Sequence, residues 1–577
     1  MNIRTGFVFA GSLLMLSAPL SVSRAQQSYI PFPLPATGSC PTLHCDAEAT
    51  ALMTHTLPAS LSNGSTLTAV DVLPFVTPSG TTNQDVPGYQ SCSSDDSNVA
   101  CLFTSGPEAM VDFTFSTASG SLQPVRNFSL IPSGGNVVSN GEDQNSNHAA
   151  VPLFANDGSV IVADGNAVTR MGQNGSVIWT FNVNGFFTPE SPVTRKVVGI
   201  TPIGVPTNSG SDAAVVVSFS DGGTFQYTNI VALDFADGHK VAQYPAGVTN
   251  SAIKGFFVAT ANGNVPVPSS SPPTSNGNSL YYLGYVGGSI NQSALARLTL
   301  TGDLASRGNG SFTQTAIVTF GGKSGASPSV FDHTKFPQIT PAPTDQVVLH
   351  VPDMTPNGTN IGSMTGCNQS PLPMGAQLVS FSTDLKSCIW VQPLYYPGST
   401  TAGISVAPVF DPVSPGYWLW TTNGTSLNGF TLYHYPLSGP GSSGSRVVNL
   451  SDVCNPAPGS NLCGNSPQFV GHMFGVNPSS TSSKLYLTVT ISEDSTANQA
   501  TKAVIAIDTN TASGAAPTLK WIAPLSSDLN PSAFGSALPL VTLPGSGSGT
   551  RAGLIFSGGT YSPTSPLGNV SYVEASQ

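Results

Sequence analysis

Charge is what this chain of 577 residues has least of. Asp, Glu, Lys and Arg make up 8% of it, where soluble proteins usually carry about 25%. Its 18 Lys and Arg stand against 29 Asp and Glu, for a net charge of −11. There is no basic stripe interleaved with aromatic residues, which argues against nucleic acid as a partner. Beyond the N-terminus no apolar run approaches the roughly 18 residues of a membrane-spanning helix, so no transmembrane segment is expected. Windows of helical period are few, which argues against helical folds. The 8 cysteines include no adjacent pair and no Cys-x-x-Cys. Zinc-ligand spacings and a haem-attachment motif are therefore missing, and neither a metal nor a cofactor is expected.

What is present begins with an export signal. Arg4 gives a charged start, Phe7 to Leu20 an apolar run, and Ser23-Arg24-Ala25 a small-x-small cleavage site. The mature chain is expected to begin near Gln26 and to work in the periplasm, at the cell surface or outside the cell. In such a compartment the cysteines read as disulfides closing local loops. They fall in neighbouring pairs: Cys40 and Cys45, Cys92 and Cys101, Cys367 and Cys388, Cys454 and Cys463. The connectivity itself stays open.

Low charge has a second meaning. At pH 2–3 most carboxyl groups hold their protons, since their ordinary pKa is about 4. The 18 basic residues and 8 histidines would then repel one another with nothing to balance them. Scarce Lys and Arg limit that repulsion, so the composition suits a protein that works in acid. Hydroxyl- and amide-rich residues take the place of charge, and 39% of the chain is hydrophobic, enough to bury a core.

Short strands separated by Gly, Pro, Asn and Asp clusters dominate, as in Val111 to Phe115, Ala214 to Ser218 and Lys484 to Val489. Two phrases recur. One is apolar and led by Pro: Ala150 to Phe154, Ala326 to Phe331, Val406 to Phe410. The other is strand, turn and Trp: Ala167 to Trp179, Gln377 to Trp390, Ala503 to Trp521. Such units returning along a chain mark radial repetition. Eight can be laid out, at about 65–135, 145–187, 188–250, 251–310, 322–395, 402–448, 466–525 and 530–577. The fold class read from this is all-β, an eight-bladed β-propeller over 65–577. A signal peptide at 1–25 and an N-terminal extension at 26–64 precede it, the latter helping to close the ring. A Trp late in a blade would fill the gap beside the next blade.

Val231-Ala232-Leu233-Asp234, Ile505-Ala506-Ile507-Asp508 and Asn174 to Trp179 resemble the repeats of quinoprotein-type, PQQ-like eight-bladed propellers. In those repeats the Asp fixes the blade turn. The adjacent cysteines and the Ca²⁺ ligand set of the quinone enzymes are missing here, so a quinone-dependent dehydrogenase is an alternative reading. In architecture and low charge the chain is similar to the tetrathionate hydrolases of acidophilic sulfur oxidisers. That resemblance implies hydrolysis of a polythionate, tetrathionate, to thiosulfate, sulfur and sulfate. A non-catalytic binding or scaffold propeller is the other alternative.

A sulfur dianion needs cationic hosts, and its hydrolysis needs a proton donor and acceptor. Carboxyl groups can serve in acid. Asp332 and Asp411 follow Pro-led phrases at comparable positions, which makes them the candidate catalytic residues. His333 and Lys335, with Arg195 and Lys196, are the candidate hosts for the anion, although neighbouring strand residues point to opposite faces. The Pro after Asp411 allows it a turn-opening role instead. The expected partner is a small anionic sulfur compound; association with further copies of the chain stays open.

Overall fold

The computed structural model describes residues 29–53, except 36–39, 43, 44 and 49, together with the strands given below and the turns cited with them. The strands form eight sheets of the same plan. Blade 1 holds Tyr89–Ser94, Asn98–Phe103, Ala109–Ser116 and Ser121–Ser129. Blade 2 holds Leu153–Phe154, Val160–Asp164, Ala167–Met171 and Val177–Asn182. Blade 3 is Lys196–Ile203, Ala214–Ser220, Thr228–Asp234 and Lys240–Tyr244. Blade 4 is Thr274–Asn276, Ser279–Tyr285, Ser293–Thr301 and Ser311–Gly321.

Blade 5 continues with Gln338–Ile339, Gln346–Met354, Gly375–Ser382 and Cys388–Pro393. Blade 6 has a broken first strand, Gly403–Ile404 and Val409–Asp411, then Gly416–Thr422, Phe430–Pro436 and Arg446–Asn449. Blade 7 likewise has Pro467–Phe469 and Phe474–Val476, then Tyr486–Glu493, Lys502–Asp508 and Thr518–Pro524. Blade 8 takes Ala537–Pro544, Thr550–Ser562 and Ser565–Glu574 from the C-terminal end. Its fourth strand is Ala69–Pro74, paired antiparallel with Ser565–Glu574. The two ends of the chain thus share one sheet and close the ring.

First strands of successive blades touch: blade 8 with 1, 1 with 2, 2 with 3, 3 with 4, 4 with 5, and 6 with 7. The fold is the eight-bladed β-propeller read from the repeats. Two boundaries differ from that reading. Residues 69–74 belong to blade 8 and not to the first unit, because the ring needs an edge strand from the opposite end of the chain. Blade 4 runs on to Gly321, past the expected end at 310, because its fourth strand is 11 residues long.

Why the strands read as apolar runs is visible at blade 3. Val215 and Val217 pack on Ile161, Val168 and Trp179 of blade 2. Ala214 and Val216 pack on Leu280, Tyr282 and Leu298 of blade 4. Alternate residues of one strand point to opposite faces, and a blade is covered on both. The same layering joins blades 4 and 5 through Leu295, Val318, Leu349 and Phe381. Blades 5 and 6 meet through Leu378, Trp390 and Tyr417, and blades 6 and 7 through Trp418, Leu432 and Leu487.

Seams are pinned by a recurring polar contact. Trp179 Nε1 of blade 2 donates to the Phe235 carbonyl of blade 3 at 2.9 Å. Trp390 Nε1 of blade 5 donates to the Leu437 carbonyl of blade 6 at 3.0 Å. In both cases the acceptor directly follows a third strand. Tyr281 of blade 4 reaches the equivalent Thr383 carbonyl of blade 5 at 2.6 Å, so a Tyr stands in for the Trp. Asp234 and Asp508, at the ends of third strands, accept the amides of Ala236 and Asn510 and hold those turns, as the repeat phrase implied.

Cys40 and Cys45 form a disulfide. Cys388 and Cys454 are also disulfide-bonded; Cys367 and Cys463, their expected partners, lie outside the described residues. Cys92 and Cys101 stand directly opposite each other in adjacent strands. No cysteine among the described residues is free. Among those residues no helix is long and apolar enough to cross a membrane.

Candidate functional site

In each blade the first strand lines the axis, so the site is sought at the two ends of these strands. Their C-terminal ends are occupied by the N-terminal segment. Tyr29–Ile30 pairs antiparallel with Val205–Pro206 of blade 3. The Asn156 amide of blade 2 donates to the Pro33 carbonyl, Ser94 of blade 1 to Cys40, and Phe154 of blade 2 to Pro41. Ser275 of blade 4 donates to Ala47, Phe410 of blade 6 to Thr50, and Gly475 and Asn477 of blade 7 to Ala51 and Met53. Every one of these blade residues lies at the end of a first strand or in the turn that follows it. Phe32 adds an edge-on ring contact with Phe235, centroids 5.1 Å apart.

Asp411 lies at this strap-covered end. Its side chain is fully buried. One carboxylate oxygen accepts the amides of Val413 and Ser414 at 2.8 and 3.1 Å. The other accepts Trp418 Nε1 at 2.8 Å and the Thr511 hydroxyl of blade 7 at 2.9 Å, with His434 Nε2 3.7 Å away. This is a structural anchor: it caps the turn before Gly416–Thr422 and ties blade 6 to blade 7. The residues that follow the first strands of other blades do the same work. Asp95 accepts the Asn98 amide, Thr340 the Gln346 amide and Asn477 the Ser479 amide. A carboxylate whose oxygens are all taken, with no exposed surface, has no room for a substrate.

The expected equivalence of Asp332 and Asp411 does not hold along the chain. Blade 5 sets Thr340, not Asp332, at the position of Asp411, because Gln338–Ile339 pairs with Val347 and Val348 as Val409–Asp411 pairs with Gly416 to Trp418. The two Pro-led phrases look alike but sit differently relative to their strands. Asp332, His333 and Lys335 lie outside the described residues, as does Arg195. Lys196 opens the first strand of blade 3, paired in register with Ser220, at the end away from the strap.

A buried cation, Arg170, went unnoticed in the sequence. It leaves the third strand of blade 2 and donates to Ser159 Oγ at 3.0 Å, to the Phe235 carbonyl at 2.7 Å and to Asp157 at 2.5 Å. Its guanidinium carbon lies 3.5 Å from the centre of the Phe235 ring. Burial lowers its pKa, and Asp157 pulls it back up. Burial would raise the Asp157 carboxyl, but the Ser159 hydroxyl and amide and the charge of Arg170 outweigh this and hold it below the usual range. No sequence motif separates this Arg from a surface one; the signal is its place in Ala167–Met171, a strand of otherwise uncharged residues.

Asp234, Asp237 and His239 bring potential metal-ligating atoms within 4.8 Å of one another. Those atoms are already engaged. Asp234 accepts Ser211 Oγ at 2.6 Å, and His239 places Nδ1 2.5 Å from Asp237 and Nε2 3.2 Å from the Leu304 carbonyl of blade 4. The turn lies between third and fourth strands, on the outer half of blade 3. Its role is to dock blade 3 on blade 4.

No protein-family model matches the sequence, and no curated protein matches it. Solved structures do match in shape. A europium-containing methanol dehydrogenase aligns with a TM-score of 0.52 at 10% identity, covering 93% of this chain and 98% of that one. A quinohemoprotein alcohol dehydrogenase from Comamonas testosteroni aligns at 0.34 and 10% identity, covering 90% and 71%. Sqt1 from Saccharomyces cerevisiae aligns at 0.43 and 9% identity, covering 88% and 99%. The first establishes the likeness of fold; the other two fall below a score of 0.5 and add nothing to it.

Proposed function

We propose that the chain is an exported, acid-adapted hydrolase of a polythionate, tetrathionate, working at the face opposite the N-terminal strap. What supports this reading is where the scarce basic residues fall in the sequence relative to the first strands. Lys196 opens an axial strand on that face, with Arg195 directly before it. Asp332, His333 and Lys335 fall in the stretch that joins Ser311–Gly321 of blade 4 to Gln338–Ile339 of blade 5, whose two ends also lie there. Four of the chain's 18 Lys and Arg and 8 His thus fall, in sequence, in the segments that lead into two first strands. Charge-assisted hydrogen bonds from such groups suit a sulfonate-bearing dianion.

In this reading one tetrathionate and one water give one thiosulfate, one sulfur atom, one sulfate and two protons. Asp332 is assigned the proton transfers. Asp411 is assigned the anchoring role described above and not a catalytic one. A quinone cofactor with its cation would need an axial set of carboxylate and amide ligands. The Asp234, Asp237 and His239 turn of blade 3 lies on the outer half of its blade and is not such a set; a quinone-dependent dehydrogenase stays the second reading.

The test is thiosulfate release from tetrathionate by the mature protein at pH 2–4. Turnover is expected, with Asp332→Asn lowering it by about 100-fold or more. Stabilisation by tetrathionate without turnover would make the chain a binding protein. Dye reduction only after addition of quinone and Ca²⁺ would make it a dehydrogenase.

A further inference from the structure

We infer that the described residues between Tyr29 and Met53 form a seated plug that closes the strap-covered mouth of the ring, latched by Asp46. In a ring of eight, blades 2 and 6 face each other across the axis, as do blades 3 and 7. The segment holds both pairs. Tyr29–Ile30 sits on blade 3 and Leu52–Met53 runs parallel to Phe474–Val476 of blade 7. Pro41 is held by blade 2 and Thr50 by blade 6. A segment bonded to opposite blades passes over the mouth between them, and the Ala47 carbonyl on the way is held by Ser275 of blade 4.

The plug is packed as a core element and not laid on a surface. Thr42, Cys45, Thr50, Ala51 and Met53 are buried. Cys40, Cys45, Ala51 and Met53 share one apolar cluster with Val409 and Trp418 of blade 6 and Phe474 and Val476 of blade 7. The Cys40–Cys45 disulfide closes a loop inside the plug, beside blades 1 and 2. Asp46 forms the latch. Its carboxylate accepts the Thr50 amide at 2.8 Å and also the Thr50 hydroxyl, folding the chain so that the Thr50 carbonyl meets Phe410. The negative charge of Asp46 is also felt by the buried Tyr417 hydroxyl of blade 6, which burial and then this charge push well above its usual pKa.

The consequence is a one-ended axis: whatever the ligand, it enters and leaves by the face where the blades are joined to one another. Plug and ring are continuous only through residues 54–68, so the contact can be tested after cutting there. A site-specific protease sequence inserted between Ser62 and Asn63 is cleaved in the otherwise intact mature protein. The N-terminal piece is expected to stay with the ring in native gel filtration and to leave only in denaturant. The amides of Ser275, Phe410, Gly475 and Asn477 are expected to exchange at least ~100-fold more slowly than free peptide. A piece that dissociates in native buffer, or amides within tenfold of free-peptide rates, overturns the plug.

Asp46→Ala tests the latch in the uncut protein. Exchange at Phe410 and Gly475 is expected to quicken about tenfold while Val215 and Val217, at the seam of blades 2 and 3, keep their rates. Equal quickening at both places is global loosening and overturns the latch. So does no change at either.

Discussion

At the scale of single residues, the polar groups of this protein are spent on joining blades. Arg170 and Trp179 both donate to the Phe235 carbonyl. Gln346 and Trp390 both reach the Leu437 carbonyl. An unmet buried carbonyl costs more than a made hydrogen bond gains, so each pair fixes where one blade sits on the next. The Asp157–Arg170 pair adds a pH dependence. A depressed carboxyl pKa stabilises the fold above its unfolded value, about 3.9, and that share is lost as pH falls through the folded value. Asp157→Asn is therefore expected to lower the urea midpoint at pH 7. The gap from the parent should narrow as pH falls below the ordinary carboxyl range and through the depressed folded value. Because Asp157 is nearly half exposed, 48% by side chain, the effect at pH 7 is expected to be modest.

Elements impose the next constraint. The turn after the third strand of blade 3 passes under the Trp179 ring, and Gly238 there has φ +74°. A methyl group at Gly238 would come within 2.5 Å of that ring. Gly238→Ala combines a left-handed backbone that disfavours side chains with a clash against a docked Trp. It is expected to cost about 2 kcal/mol or more in urea unfolding. Ring closure makes a second prediction. Without Ala69–Pro74 the strand Ser565–Glu574 becomes a bare sheet edge. A deletion of 69–74 is expected to move the protein from a discrete species to aggregates in size-exclusion chromatography.

For the molecule as a whole, scarcity of charge and the architecture point the same way. The described core is apolar and its seams are pinned largely by neutral donors: Trp, Tyr, Gln and Thr. Those made to backbone carbonyls, by Trp179, Tyr281, Gln346 and Trp390, contain no group that titrates between pH 2 and 7. Retention of the near-ultraviolet circular dichroism spectrum at pH 2.5 is expected; collapse of that spectrum with far-ultraviolet signal intact would mean that seams open in acid. Acid would weaken the Asp157–Arg170 pair, as argued above. Among the described residues the ion pairs of Lys386 and Lys484 are on the surface, and exposed pairs contribute little.

The repeating phrases alone determined the all-β class, the count of eight units, most strands and the docking role of the Trp residues. They could do so because strand period, turn residues and large rings act locally. Val111 to Phe115 and Ala214 to Ser218 stand out as strands in this way. Only the folded ring decided that residues 69–74 complete blade 8, that the N-terminal segment spans one mouth, and that Asp411 is an anchor while Thr340 holds its place in blade 5. Those facts depend on which distant segments meet around an axis. Two similar Pro-led phrases carry no record of where each falls against its neighbouring strand. Register is set by pairing, and pairing is a property of the assembled sheet.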